Sequence, residues 1–128
     1  MTGVAALAAG IVVILRQRSK TYPEIVVARD GDIPVGGSKI FTYPTDVQPC
    51  ILLRPAGDNY VAFSRTCTHA SCPVHYERAE NRLICPCHGG FFSAADGSVL
   101  AGPPPSPLPR IILERHGQNL VATGIVKS

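Results

Sequence analysis

The sequence predicts an all-β fold, an antiparallel sandwich preceded by one short apolar helix. Two observations carry this: short runs rich in β-branched, aromatic and aliphatic residues recur at close spacing, and each is closed by a cluster of Gly, Pro, Asn or Asp. A third is the lack of any second helix after the N-terminal run. The 128 residues are enough for one domain with a real core and too few for two. Twelve glycines and twelve prolines supply the turns. A net charge of +3, scattered along the chain and not interleaved with aromatic residues, excludes a nucleic-acid-binding surface.

Residues 3–15 form an uncharged run closed by Arg16, Arg18 and Lys20. It is shorter than the ~20 apolar residues that span a bilayer, and it lacks the basic start and small-residue cleavage site of a signal peptide. The expectation is a membrane anchor over residues 1–20, followed by a domain over 21–128. In that domain residues 24–28 read as the first strand and 39–43 as the second, separated by the breaker-rich stretch 29–37. Residues 50–54 and 60–64 flank the turn Ala56-Gly57-Asp58-Asn59 and make a hairpin. Cys50 precedes an apolar run and reads as a small buried hydrophobe rather than a redox thiol.

Residues 73–78 and 82–84 bracket another turn, and 91–93 with 99–100 form a third hairpin. The stretch 102–109 carries five prolines. It is too short and too enclosed by strands for a linker, so it is expected to be a stiff loop packed over something. Residues 110–114 and 120–123 close the sheet. His75 and His116 lie in a strand and a turn and are read as surface or packing histidines.

The chemistry is concentrated in two loops, Cys67-Thr68-His69-Ala70-Ser71-Cys72 and Cys85-Pro86-Cys87-His88-Gly89-Gly90. The hairpin between them brings its ends side by side, so the loops are expected to face one another. Cys-x-His and Cys-x-x-His together supply two thiolates and two imidazoles, donors that suit zinc or an iron–sulfur cluster. A Cys₂His₂ zinc site is one reading, and a structural zinc module used only for binding would follow from it. Zinc leaves Cys72 and Cys87 without a role. A [2Fe–2S] centre with two histidines on one iron uses the same four donors and leaves room for a link between the loops.

The pattern Cys-Thr-His-x-x-Cys followed by Cys-Pro-Cys-His-Gly resembles that of Rieske iron–sulfur proteins, in particular the branch found in cytochrome bc complexes. The resemblance covers roughly residues 24–123. It implies a Rieske-type β sandwich with a small cluster-binding subdomain over about 66–108, and a [2Fe–2S] cofactor. It further implies Cys67 and Cys85 on the buried iron, His69 and His88 on the outer iron, and a disulfide between Cys72 and Cys87. Gly102, Pro103 and Pro104 match the family's proline loop, which covers the cluster. Gly89 and Gly90 are expected to let backbone approach the sulfurs and present N–H donors.

Because imidazoles are neutral, such a centre is less negative and easier to reduce, and a histidine on its outer iron can exchange a proton with the redox state. His69 and His88 are therefore the expected reactive groups toward quinol. Partners implied are a cytochrome b-type subunit and a c-type cytochrome. A disulfide needs an oxidising compartment, which places the domain on the extracytoplasmic, periplasmic side of the membrane. The basic flank after residue 15 argues for the opposite side, and the cysteine argument is followed here. Two departures from the high-potential pattern stand out: Gly90 replaces a Ser and Phe92 a Tyr, so two hydroxyl donors are missing. A lower potential, matched to menaquinol, is the expectation. Ala70 stands where Leu is frequent at the tip. The alternative is the small Rieske subunit of a periplasmic molybdenum oxidase of the arsenite oxidase kind.

Overall fold

The computed structural model describes residues 21–127; the expected helix and anchor lie outside the described residues. Among the described residues there is no helix long and apolar enough to cross a membrane. Ten strands form two antiparallel sheets: β1 (Ile25–Arg29), β2 (Ser38–Thr42), β3 (Pro49–Ala56), β4 (Asn59–Ser64), β5 (His75–Glu77), β6 (Arg82–Cys85), β7 (Gly90–Ser93), β8 (Val99–Ala101), β9 (Arg110–His116) and β10 (Asn119–Val126). The larger sheet has the order β1-β10-β9-β4-β3-β2 and the smaller the order β5-β6-β7-β8.

Strand β3 shows how one sequence builds two cores. Its run Cys50-Ile51-Leu52-Leu53 is buried on both faces, so it reads as continuous rather than alternating. Cys50 and Leu52 join Val27, Tyr43, Ala62, Ile111 and Ala122 in a first core enclosed by the larger sheet. Ile51 and Leu53 point the other way, to Phe63, Val74, Leu83, Phe92 and Leu108, in a second core beneath the smaller sheet. Side chains alternate across a strand, so a one-residue slip would exchange the two sets. Leu52 and Leu53 are each fully buried, which contributes about 1.5–3 kcal/mol apiece.

The larger sheet curls until its two edge strands approach. The Lys39 ammonium on β2 donates to the Val27 carbonyl on β1 at 2.8 Å. Arg78, in the β5–β6 turn, lies over Gly36 in the loop between β1 and β2 and so joins the two layers. The strand expected over 73–78 is limited to β5. Pro73 makes only an isolated bridge to Thr66, and the Val74 N–H donates to the Arg65 carbonyl at 2.9 Å while its side chain enters the second core.

Cys50 behaves as the small hydrophobe the sequence suggested. It is 2% exposed, and burial pushes its thiol pKa up to about 11. At pH 8 the thiolate fraction is then about 10⁻³, too small for rapid alkylation. Mass spectrometry after iodoacetamide at pH 8 is expected to find Cys50 unmodified in the folded protein and modified once it is unfolded.

Candidate metal centre

The second core ends upward in the two cysteine loops. Strand β4 runs straight into the first, and the Thr66–Pro73 bridge closes it at its base. Inside, the Cys67 N–H donates to the Cys72 carbonyl at 2.9 Å and the Ser71 N–H to the Cys67 carbonyl at 3.1 Å, with Ser71 at φ 59°. The second loop is the tip of the β6–β7 hairpin. Cys85 and Gly90 pair directly across it, so both belong to strands, and Gly89 turns the chain at φ 71°. Strands β5 and β6 pair from His75↔Ile84 to Glu77↔Arg82, which sets the loops face to face.

Cys72 and Cys87 are joined in a disulfide with Cα atoms 6.4 Å apart. Cys67 and Cys85 are free thiols, 2% and 1% exposed. Burial pushes the Cys85 thiol above its ordinary range and the neighbouring Cys67 thiol adds to this, while the backbone N–H groups of Cys87 and His88 pull it down. Those two amides favour a thiolate at Cys85. His69 and His88 are exposed, with ring centroids 4.7 Å apart and planes at 88°. Paired thiols thus lie inside and paired imidazoles outside, held on two loops by a covalent latch. This donor set fits a cluster with one iron taking sulfur ligands and the other nitrogen ligands. His75 opens β5 opposite Ile84 and His116 ends β9; both are exposed and outside the two loops.

The loop over 102–109 packs onto the second cysteine loop. Gly102 sits at φ +91°, and a Cβ there would stand 2.7 Å from the Gly89 carbonyl oxygen and 2.8 Å from the Gly90 Cα. Both neighbours are backbone and cannot swing away. Gly102→Ala is expected to destabilise the protein by about 2–4 kcal/mol through strain and overpacking, read as a fall in thermal midpoint. A contact the sequence did not indicate ties the other side: the Thr68 hydroxyl donates to the Ser106 carbonyl at 2.7 Å. Phe92 is fully buried in the second core and carries no hydroxyl.

Comparison with known proteins agrees with this chemistry. The Rieske [2Fe-2S] domain family matches residues 24–112. A cytochrome b6-f complex iron-sulfur subunit from Chlorobaculum tepidum is 34% identical over 92 residues, covering 72% of this chain and 49% of that protein. A chain from Haloferax mediterranei, provisionally named a respiratory nitrate reductase subunit Rieske, is 31% identical over 156 aligned positions, covering 97% of this chain and 70% of that one. Among solved structures, the cyanobacterial plasma membrane Rieske protein PetC3 from Synechocystis superposes with a TM-score of 0.66 at 30% identity, covering 78% of this chain and 98% of that one. This chain spans about half the length of the b6-f relatives it matches, 56% and 49%.

Proposed function

This chain belongs to the Rieske [2Fe–2S] family, and on that footing we propose that it is the electron-transfer subunit of a quinol-oxidising bc-type complex. Cys67 and Cys85 would hold the inner iron, and His69 and His88 the outer one. The observation that supports this most is the pairing of two buried thiols with two exposed, adjacent imidazoles on disulfide-latched loops. The bound cluster supplies a one-electron acceptor with a potential of roughly −150 to +300 mV.

The chain's own residues do the rest. The exposed ring of His88 or His69 would accept the hydrogen bond and proton of quinol. The proline loop and the second core keep water from the sulfur side. With glycine at 90 and phenylalanine at 92, no side-chain hydroxyl from either position reaches the sulfurs, so the reduced state is less stabilised and menaquinol is the matched donor. A c-type cytochrome is the acceptor. Residues 1–20 serve as the membrane anchor, with 21–128 as the domain on the extracytoplasmic side and its cluster-binding part over about 66–108.

Co-purification tests the assignment: the full chain is expected to bring down a cytochrome b. A redox titration giving a potential as high as that of ubiquinol-linked proteins would count against menaquinol. The second reading is the small Rieske subunit of a periplasmic molybdenum oxidase of the arsenite oxidase kind, which the Haloferax relative, named for a respiratory nitrate reductase, fits only in part. Recovery of a molybdopterin subunit in place of cytochrome b would establish that one.

A further inference from the structure

Gly90 opens β7, and a Cβ built on it would stand 2.7 Å from Pro104 Cγ, 3.0 Å from Pro104 Cδ and 3.5 Å from Cys85 Cβ. The first distance is shorter than real Cβ contacts ever are. The third shows that this same volume borders the side chain of a cluster donor. The backbone of Gly90 does not require glycine, because Gly90 is absent from the positive-φ residues. What forbids a side chain there is the proline ring. Pro104 is buried, and its ring is closed onto its own backbone, so it cannot rotate aside as a leucine would. Its loop is further pinned two residues earlier, where Gly102 lies on the backbone of Gly89 and Gly90.

We infer that Gly90 and Pro104 are a matched pair: the Pro104 ring fills the space of a side chain at position 90, docking the proline loop and keeping hydroxyl donors off the Cys85 side of the centre. A side chain at position 90 therefore requires a smaller residue at 104. Pro104 is a positioning residue, acting through the loop it docks. This rests on the reading that the cluster is held by Cys67 and Cys85, and it adds the reason a hydroxyl is missing beside it. A hydroxyl next to a cluster sulfur raises the potential, so the pair also fixes that property.

The test is a cycle of four full-length, cluster-loaded proteins: the parent, Gly90→Ser, Pro104→Ala and the double variant. The readouts are the rate of cluster bleaching in the presence of an iron chelator and the midpoint potential. Gly90→Ser is expected to bleach roughly ten-fold faster or more, from overpacking. Pro104→Ala is expected to stay within about three-fold of the parent, since removing part of one ring leaves a small gap, milder than the clash of a side chain forced against it. The double variant is expected to return to the Pro104→Ala rate, with a potential above that of Pro104→Ala. A Gly90→Ser protein that fails to assemble while the double variant assembles supports the pair equally. The inference is overturned if Gly90→Ser bleaches at the parent rate, if the double variant is no slower than Gly90→Ser or fails to assemble, or if its potential does not rise. A parent protein that holds no iron would instead overturn the cluster assignment beneath it.

Discussion

Cys85→Ser is expected to give a protein that keeps its larger sheet and holds no iron, a fall from about two irons per chain to none. Cys85 is 1% exposed, at the end of β6, and no other free thiol can take its place: Cys67 is itself the second proposed thiolate donor and Cys50 lies in the other core. A serine hydroxyl is a far poorer ligand for iron than a thiolate, and the site is too enclosed for water to substitute. The first core does not touch Cys85, so the β3–β4 and β9–β10 hairpins should survive. Iron analysis alongside far-ultraviolet circular dichroism checks both halves. Retention of iron in Cys85→Ser would mean that the donors lie elsewhere.

Cys72→Ser is expected to leave iron bound but to loosen the pair of loops. The bridge closes a loop with a sequence separation of 15, worth about 3 kcal/mol in the chain-entropy account. For a domain of this size that is on the order of 10–20 °C in thermal midpoint. The loss should be local at first, because the Cys67–Cys72 hydrogen bond and the Thr66–Pro73 bridge still shape the first loop. Cluster bleaching should therefore accelerate at temperatures well below global unfolding. Parallel melts followed by cluster absorbance and by circular dichroism would separate the two events. Equal midpoints in the variant, unchanged from the parent, would show that the latch is not what holds the loops together.

Much of this was legible in the sequence because turn residues and hydrophobic runs alternate cleanly. Ala56-Gly57-Asp58-Asn59 marks the β3–β4 turn, and the apolar run 50–53 marks the strand shared by both cores. The proposed metal donors stand out in the sequence as a Cys-x-His paired with a Cys-x-x-His, and the Cys72–Cys87 disulfide that the family resemblance implied is present. The strand ends were less clear. Pro73 and Val74 suit a strand by composition, yet the bridge to Thr66 and the pull of the second core take them out of β5.

The particular contacts that seat the 102–109 loop left no trace. Thr68 bonds a carbonyl 38 residues away, and a carbonyl has no identity in the sequence. Gly90 reads as a close backbone approach to the sulfurs and as a missing hydroxyl, with no sign that the Pro104 ring leaves it no room for a side chain. Lys39, read from the sequence only as the start of a strand, closes the seam of the larger sheet onto Val27.

The most direct test of the central claim is electron paramagnetic resonance of the dithionite-reduced full-length protein, combined with metal analysis. Two irons per chain and a rhombic spectrum of low average g, lost in Cys85→Ser, are the result expected for a [2Fe–2S] cluster held by Cys67, His69, Cys85 and His88. One zinc per chain, no iron and no signal would contradict it.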